Sequence, residues 1–536
     1  MKKYIVTALV VVSSVCAIAG EKPTSGVMFD ASKGVAGSVS ISNGKVVNYT
    51  AYTRLYYVTN VEDSTYQYMN VFIPDGADQS TPIFMPNYVG GYMAAKPQSV
   101  NADDASGRAL AEGYVVTIPG VRGRNSVVIN AAGESVYTGR APKALLDLKA
   151  AVRYLRHFDK EMPGDAEKII TDGTSAGGAM SALLGATGNN PVYEEYLKEM
   201  GAADERDDIF AAVCFCPITD LDHADAAYEW LYGCTNNVTR HLSDEQAEVS
   251  KELASQYPAY LNSLNLKKAD GTLLTSDNYL DYLKELLMKS AQEAKDYGAT
   301  IPDSIGFTFS GMPQFIAPVN GGMREHGRPA LRPERSAKSQ GEYITDLDLE
   351  RYLNYVVSKT PLKTPPAFDS EGVAGNNASG ENEEFGDENG SSVNFTDYSL
   401  QKSTGNEDVQ VDSRIKTAVK LMNPMYFISA PNTTVSQHWY IRHGAIDRDT
   451  AFPVPINLAT KLQNEGKDVN FKLAWNRPHS GDYALNEMFE WIKSLLDIYN
   501  SLRIGNQRRC ARFNCWKYEL MIETLNREIR GRINLI

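Results

Sequence analysis

Cysteine is scarce in this chain, with 6 residues in 536. The five that follow the N-terminal segment are too few for a disulfide-rich scaffold, and their number is odd. They are Cys214, Cys216, Cys234, Cys510 and Cys515. Cys214 and Cys216 alternate within an apolar stretch typical of a buried strand, so we expect them in the core. No set of histidines and cysteines stands at ligand spacing, and we expect no metal site.

Long apolar runs are also missing, apart from one at the N-terminus. Lys2 and Lys3 precede an apolar stretch, residues 6–18, that is too short to span a bilayer comfortably. Ala17-Ile18-Ala19 is the pattern of a cleavage site, so residues 1–19 are predicted to be a signal peptide. An uncleaved anchor is the alternative. We expect export to the periplasm or the medium, without stable membrane insertion of the mature chain.

Positive charge is in deficit, because the formal net charge is −13. Such a chain repels nucleic acids and anionic membranes, and it suits an enzyme that acts on small molecules. The chain is also longer than one small core requires. We therefore expect one large domain with an insertion, or two domains.

Apolar strands alternate with amphipathic helices in two parts of the chain, residues 20–219 and 412–498. This alternation predicts a mostly parallel α/β sheet flanked by helices. Residues 220–411 show helical patterns without strands of the same apolar kind, and we interpret them as an inserted, mainly helical lid domain. Residues 499–536 form a basic C-terminal extension to which we assign no role.

The spacing of apolar residues predicts the bounds of the individual elements. The predicted strands are residues 56–60, 66–73, 82–86, 113–119, 168–171, 209–216, 437–442 and 469–475, the first two as edge strands. The predicted helices are residues 141–159, 177–185, 244–256, 279–297, 347–357, 453–466 and 485–496.

Ser175 lies in Gly173-Thr174-Ser175-Ala176-Gly177, between a predicted strand and a helix of small residues. Glycines on both sides of a serine permit the tight turn that lifts its hydroxyl out of a sheet. A plain glycine-rich turn is the alternative, but the strand before and the helix after match the context of a nucleophile. We predict that Ser175 is a catalytic nucleophile.

A nucleophilic serine needs a base and a carboxylate that orients the base. His479 follows the last predicted strand, where the base is expected, and His443 at the end of the preceding strand is its competitor. Asp447 follows that preceding strand, with Asp449 as its rival. The chain order Ser, Asp, His is that of α/β-hydrolases. Weaker candidates for the carboxylate are Asp220 and Asp222.

The oxyanion of acyl transfer needs backbone donors close to the nucleophile. One should be the N–H of Ala176, which follows the serine, and the other should come from the loop after an early strand. Gly90 and Gly91 stand in such a loop, where glycine lets the backbone approach an acyl oxygen. A tight turn without a catalytic role is the alternative.

Several longer segments resemble bacterial tannases of the subtype B family, which are tannin acyl hydrolases. The matching segments are residues 84–87, 89–93, 173–178, 184–188, 216–225, 363–369, 447–450 and 478–483. The resemblance spans about residues 30–498, and its long motifs are more specific than the pentapeptide around Ser175.

The resemblance implies an α/β-hydrolase fold with a large lid. It implies hydrolysis of galloyl ester and depside bonds in gallotannins and alkyl gallates, and the triad Ser175, Asp447 and His479. The expected partner is a small galloyl ester, with no nucleic acid and no cofactor or metal. We expect a monomer.

The resemblance also implies residues that contact the galloyl ring. These are Lys363, Asp449 and Glu381, with Glu383 or Glu384 as alternatives to the last. Two carboxylates and an ammonium suit a ring with three adjacent phenolic hydroxyls, and such a site rejects rings that lack them.

Two other classes of function remain open from the sequence. One is a different exported α/β-hydrolase, such as a feruloyl or carboxyl esterase or a hydrolase of the prolyl-oligopeptidase type. The other is a catalytically inactive hydrolase fold that serves as a binding module, which an intact Ser, Asp and His in this order disfavours.

Overall fold

The structure is a computed structural model, and it describes residues 26–41, 44–310, 343–370 and 377–510. The predicted signal peptide, Cys515 and the basic extension beyond residue 510 lie outside the described residues. Contacts divide the chain into two compact units, Met1–Asp482 and Tyr483–Ile536.

Within the described residues, nine strands form the central sheet of the first unit. They are β1 (Val35–Ser40), β2 (Val46–Tyr56), β3 (Tyr68–Pro74), β4 (Pro82–Pro86), β5 (Val115–Pro119), β8 (Asp165–Thr174), β9 (Ala211–Phe215), β12 (His438–Gly444) and β13 (Asp468–Ala474). Their order across the sheet is β1-β2-β3-β5-β4-β8-β9-β12-β13. The strands from β1 to β5 in this order pair antiparallel, and those from β5 to β13 pair parallel. The predicted mostly parallel α/β fold is confirmed.

Two separate antiparallel strand pairs and fourteen α-helices accompany this sheet in the described residues. The strand pairs are β6 (Val127–Ile129) with β7 (Ser135–Tyr137), and β10 (Phe307–Ser310) with β11 (Tyr343–Leu347). The helices are α1 (Ala105–Ala111), α2 (Lys143–His157), α3 (Ala176–Ala186), α4 (Glu194–Glu199), α5 (Leu221–Tyr232), α6 (Asn236–Thr239), α7 (Asp244–Ser263), α8 (Tyr279–Asp296), α9 (Leu349–Lys359), α10 (Gly380–Glu384), α11 (Asp397–Thr404), α12 (Ser413–Leu421), α13 (Pro453–Asn464) and α14 (Leu485–Cys510).

The parallel strands form the core because their apolar runs are covered on both faces. Every residue of β5 and β9 is buried, as is all of β12 after its first residue. Helices α2, α3 and α13 pack on these strands, and α3 is buried along its whole length. Continuous apolar runs are expected where helices cover both faces of a parallel sheet.

The path of the chain through the sheet determines where a site can form. From β4 the chain passes to β5 on one side, and it then returns to β8 on the other side of β4. A crevice opens at the carboxyl ends of strands where the order reverses in this way, and ligands of open α/β sheets bind there. The carboxyl ends of β4 and β8 are therefore the expected location of a site.

The segment between β9 and β12 carries α5 to α12 and the antiparallel pair of β10 and β11. Each of these two strands has only one buried residue, unlike the strands of the core. The described part of this segment is therefore mainly helical, and its description as a lid remains a prediction. None of the described helices combines the length and the apolar character that a membrane span requires.

Several predicted elements differ from the structure. The edge strands of the sheet are β1, which the sequence pattern missed, and β13. The predicted strand 56–60 is wrong because β2 ends at Tyr56. The buried Tyr57 instead donates its hydroxyl to the Gly120 carbonyl. The strand predicted over 66–73 is not an edge strand because β3 pairs with both β2 and β5.

Helix α7 continues to Ser263, beyond the predicted end at residue 256. The predicted helix 347–357 begins only at Leu349, after β11. Helix α14 continues to Cys510 instead of ending at Leu496, and the predicted basic extension thus begins within a helix.

An ion pair between Arg122 and Asp147 is enclosed in the core of the first unit. Both side chains are fully buried, and the Asp147 carboxylate accepts hydrogen bonds from the Arg122 backbone and guanidinium. The bond joins the segment after β5 to helix α2. A buried ion pair is most costly when one partner is removed, because the other charge remains without compensation.

We predict that Asp147→Ala lowers the free energy of unfolding by about 3–5 kcal/mol, because the buried Arg122 guanidinium loses its enclosed carboxylate and keeps only the half-exposed Glu62 as a charged partner. Glu112→Ala, which breaks the exposed pair of Arg108 and Glu112, should cost less than about 1 kcal/mol. Urea denaturation of both variants measures the difference. Equal stability of the two variants would contradict the structural role of the buried pair.

Candidate active site

Ser175 occupies a strained turn between β8 and α3. Its backbone φ is +63°, a region that side chains other than glycine avoid at a cost of about 1–3 kcal/mol. The turn is tight, because a Cβ on Gly173 would lie 2.2 Å from the Gly177 carbonyl oxygen. The Ser175 N–H donates to the Phe215 carbonyl at the end of β9, at 2.9 Å. The half-buried serine therefore stands at the carboxyl end of β8, as a nucleophile elbow requires.

Asn87 ties the end of β4 to this turn. Its side-chain nitrogen lies 3.0 Å from the carbonyl oxygens of Asp172 and Gly177, and 3.1 Å from the hydroxyl of Ser181. The sequence pattern indicated no role for Asn87. Its position directly after a buried strand, as a polar residue that is itself buried, is the signal that could have identified it.

The loop after β4 presents Gly90 and Gly91 beside the elbow. Both are exposed, and Gly91 has a φ of +55°. The next residue, Tyr92, is buried and donates its hydroxyl to the Ile218 carbonyl at 2.7 Å, while the Ile218 N–H donates to the Ser175 carbonyl at 3.3 Å. The two predicted oxyanion glycines are thus connected to the nucleophile through two hydrogen bonds. The other predicted oxyanion donor is the N–H of Ala176. It lies in the first turn of α3, where amides have no intrahelical acceptor.

Asp447 and His479 are hydrogen-bonded to each other. The His479 Nδ1 lies 2.8 Å from the Asp447 Oδ2, and the other carboxylate oxygen accepts the Asp449 N–H at 2.8 Å. The rival carboxylate, Asp449, is 3.7 Å from the same ring nitrogen. Asp447 is 1% exposed, whereas Asp449 is partly open to solvent. The geometry therefore favours Asp447 as the residue that orients His479.

His443, the competing histidine, is enclosed behind this pair. Its side chain is fully buried, and its Nδ1 lies 3.6 Å from the Asp447 Oδ2. Burial lowers the pKa of His443, so the ring is neutral at neutral pH. A histidine without access to solvent cannot meet a substrate, whereas the His479 side chain is 22% exposed.

The electrostatics of the pair suit a base that becomes charged during a reaction. Burial raises the pKa of Asp447, but His443 and the hydrogen bonds to His479 and the Asp449 N–H outweigh it and lower that pKa to about 2. Burial lowers the pKa of His479, and the hydrogen bond and charge of Asp447 outweigh it, so that this pKa is raised. Asp447 is ionised at neutral pH and stabilises the protonated imidazole.

Cys216 lies under the loop that carries His479. Its buried thiol donates to the Ser480 carbonyl at 3.3 Å, and its sulfur lies within 4.8 Å of ligand atoms of Asp447 and His479. A Cβ on the next residue, Gly481, would lie 1.8 Å from the Thr174 Oγ1, so this loop also packs against the elbow. The prediction of Cys216 as a core residue agrees with its burial, but the sequence did not indicate its place beneath the histidine loop.

Asp220 and Asp222, the weaker candidates, belong to a different cluster. Asp220 contacts His223 at 2.9 Å and accepts from the Tyr260 hydroxyl at 2.7 Å, and Asn423 donates to both carboxylates at 2.7 Å. Burial lowers the pKa of His223, but the two carboxylates outweigh it and raise that pKa to about 10. These carboxylates are engaged in an internal network and are not partners of His479.

Lys363 provides a positive charge beside the acid–base pair. Its ammonium lies 3.9 Å from the centroid of the Phe368 ring. Burial lowers the pKa of Lys363, and the charges of Glu381 and Asp449 counteract this effect. The charge of Lys363 in turn opposes protonation of His479. The structure thus brings Lys363, Glu381 and Asp449 into one electrostatic cluster next to the histidine.

The two alternatives to Glu381 have other environments. Glu383 pairs with the Arg124 guanidinium. Glu384 is fully buried, and burial raises its pKa to about 8, which keeps much of it protonated at neutral pH. Glu381 is half-buried, and its charge raises the pKa of Lys363 more than that of any other carboxylate. The geometry therefore favours Glu381 over both.

Helix α5 holds the segment that carries Lys363. The Tyr228 hydroxyl accepts the Lys363 N–H at 3.3 Å, and Asp225 accepts the N–H groups of Phe368 and Asp369 at 2.8 and 2.9 Å. The Lys363 carbonyl accepts from Arg240 at 2.9 Å. These bonds fix the backbone of Lys363 and of Phe368, whose ring contacts the Lys363 ammonium.

Comparison with known proteins places this fold in a family. The family model described as BD-FAE matches residues 69–263. The solved structure of Fusobacterium nucleatum tannase is similar with a TM-score of 0.74 and 37% identity, and covers 87% of this chain and 99% of that chain. The native structure of the tannin acyl hydrolase from Lactobacillus plantarum has a TM-score of 0.74 and 36% identity, and covers 88% of this chain and 98% of that chain.

A shorter similarity links the chain to Esterase LipC of Mycobacterium tuberculosis (strain ATCC 25618 / H37Rv). The two are 42% identical over 60 residues, which is 11% of this chain and 15% of that esterase. The fold, the family model and these relatives together define a carboxylic ester hydrolase with the α/β-hydrolase fold. The chain belongs to the bacterial tannase family. The resemblance found in the sequence is confirmed.

We predict that Asp447→Asn lowers the pKa of His479, because the carboxylate charge that opposes the effect of burial is removed. Asp449→Asn should lower this pKa less, since its carboxylate is farther from the ring, at 3.7 Å. NMR titration of the histidine ring protons measures both shifts. An unchanged or raised pKa of His479 in Asp447→Asn would show that the two side chains are not coupled as the geometry indicates.

Proposed function

We propose that the protein is a tannin acyl hydrolase that cleaves galloyl ester and depside bonds of gallotannins and alkyl gallates, and releases gallic acid. The observation that carries this proposal is the Asp449 carboxylate 3.7 Å from the His479 Nδ1, with the charges of Lys363 and Glu381 acting in the same cluster. A related tannin acyl hydrolase with 35% identity and a TM-score of 0.74 has been solved in complex with ethyl gallate, which supports the same substrate class.

In the proposed first step, His479 accepts the proton of the Ser175 hydroxyl, while Asp447 holds the imidazole and stabilises its positive charge. The Ser175 oxygen attacks the ester carbonyl carbon. The N–H groups of Ala176 and of Gly91, or Gly90, stabilise the oxyanion. Collapse of the intermediate breaks the ester bond, and His479 gives its proton to the departing alcohol.

The second half of the reaction releases the acid. Water loses a proton to His479 and attacks the acyl-enzyme carbonyl, and a second tetrahedral oxyanion forms at the same donors. Its collapse breaks the bond to the Ser175 oxygen, which recovers the proton from His479. Gallate leaves, and the proposed steps use only side chains and backbone amides of this chain.

Selectivity would come from pairing the phenolic hydroxyls. The carboxylates of Glu381 and Asp449 can accept hydrogen bonds from two of them, and the Lys363 ammonium can donate to a phenolic oxygen. A ring without hydroxyls would leave these three partly buried groups without partners, at a cost that a galloyl ring avoids.

We predict that Ser175→Ala abolishes hydrolysis of methyl gallate, since no other group replaces the attacking oxygen. A fluorophosphonate probe should label the wild-type protein at Ser175 and leave the variant unlabelled, as mass spectrometry of the digested protein can show. Substantial gallate release by the variant would overturn the acyl-enzyme mechanism.

We predict that Lys363→Met, Glu381→Gln and Asp449→Asn each reduce kcat/KM for methyl gallate about 10- to 100-fold, because each removes a charged partner of a phenolic hydroxyl. Their effect on p-nitrophenyl acetate should be below about threefold. Glu388→Gln, which changes an exposed carboxylate in the same segment, is the matched control and should resemble the wild type on both esters. Equal losses on the two esters would contradict the assigned role in ring recognition.

The same assay distinguishes the competing functions. Methyl ferulate, methyl benzoate and a prolyl amide, assayed beside methyl gallate, test a feruloyl esterase, a general esterase and a peptidase of the prolyl-oligopeptidase type. The proposal requires the highest kcat/KM for the galloyl ester. A higher value for methyl ferulate or the amide would replace the proposed substrate class with another.

A further inference from the structure

We infer that Arg124 is a positioning residue that couples the oxyanion loop, residues 90–92, to helix α10, which carries Glu381. The inference rests on the proposed function, because it concerns the same acyl-transfer site. Arg124 lies in the loop after β5, and its side chain is 19% exposed.

On one side, Arg124 holds the oxyanion loop through two hydrogen bonds. Its guanidinium Nε donates to the Gly91 carbonyl at 2.8 Å, and its backbone N–H donates to the Tyr92 carbonyl at 2.9 Å. The neighbouring Asn125 accepts the Ala94 N–H at 2.8 Å. Residues 124–125 therefore run beside the loop and fix the backbone on the far side of the glycines.

On the other side, the same guanidinium contacts α10. Its Nη1 nitrogen pairs with the Glu383 carboxylate. A Cβ on Gly380, the first residue of α10, would lie 3.1 Å from the Arg124 Nε, so the helix packs directly on the guanidinium. Glu381 stands between these two contacts in the sequence.

Other bonds hold α10 in place without reaching the oxyanion loop. The Arg140 guanidinium donates to the Glu383 carbonyl, and the Ala141 N–H donates to the Glu384 carbonyl at 2.8 Å. These contacts anchor the helix to the segment before α2. Removal of the Arg124 side chain should therefore leave α10 in place while it frees the Gly91 carbonyl.

A fixed Gly91 carbonyl matters because glycine has wide conformational freedom. Gly91 has a φ of +55°, and without the bond from Arg124 its backbone can rotate to other conformations. An oxyanion donor stabilises a transition state only when it is already directed at the developing charge. Arg124 thus keeps the oxyanion loop in its active conformation. Its ion pair with Glu383 links the loop to helix α10, which carries Glu381.

The test uses kcat and KM on two esters, methyl gallate and p-nitrophenyl acetate. Arg124→Met should lower kcat about 10- to 100-fold on both esters, because a displaced oxyanion donor affects every acyl group. Glu383→Gln keeps the bond to Gly91 and should leave kcat for p-nitrophenyl acetate within about twofold, while it raises KM for methyl gallate. Arg206→Met, which changes an exposed arginine paired with Asp208, is the control and should behave as wild type.

Wild-type kcat for p-nitrophenyl acetate in Arg124→Met, or a loss confined to KM for methyl gallate, would overturn the inference. Arg124→Lys supplies a second variant if Arg124→Met does not fold. A lysine can pair with Glu383 but cannot span to the Gly91 carbonyl as well, so kcat should again fall on both esters. If the wild type cleaves p-nitrophenyl acetate but not methyl gallate, the galloyl assignment fails, while a fall in kcat for the acetate still supports the role of Arg124.

Discussion

The site depends on the parallel run of β4, β8, β9, β12 and β13, because parallel strands bring their carboxyl ends to one edge of the sheet. Each strand delivers one part there. The loop after β4 carries the glycines, β8 leads into Ser175, and β9 supplies the Phe215 carbonyl that holds the turn. The loops after β12 and β13 carry Asp447 and His479. The strain at Ser175 is sustained by the buried strands on both sides of it.

Burial of the Asp447 carboxylate strengthens its effect on His479. Asp447 is almost completely enclosed, yet it is ionised because His479 and a backbone N–H satisfy its oxygens. The neutral His443 fills the space behind it. A charge in such surroundings interacts more strongly with its neighbour than it would in water. This explains why the pKa of His479 is raised even though its ring is largely buried.

The proposed galloyl-binding cluster of Lys363, Glu381 and Asp449 combines residues from two parts of the chain. Lys363 and Glu381 come from the segment between β9 and β12, whereas Asp449 follows β12, two residues after Asp447. In the proposed function, the groups that select the acyl group therefore lie close to those of the acid–base chemistry. Arg124 adds a third connection, since it contacts both the glycine loop and the helix of Glu381.

The sequence by itself predicted the parallel sheet, most core strands and the order of Ser175, Asp447 and His479. Apolar periodicity, glycine spacing and long family motifs are local signals, so they can be recognised in one sequence. The edge strand β1 was missed because its residues are mostly exposed and lack a clear alternation of apolar side chains. The end of α14 was misplaced because a polar helix shows no apolar boundary.

The sequence preferred Asp447 to Asp449, and His479 to His443, from their places in the chain order, and the family motifs preferred Glu381 to Glu383 and Glu384. Only the tertiary structure gives the physical reason for these preferences. The rival residues differ in burial and in the partners that distant segments bring to them, such as Arg124 beside Glu383 and Lys363 near Glu381. Contacts between residues far apart in the chain leave no local pattern. For this reason Asn87, Cys216 and Arg124 acquired their roles only when the fold placed them at the edge of the sheet.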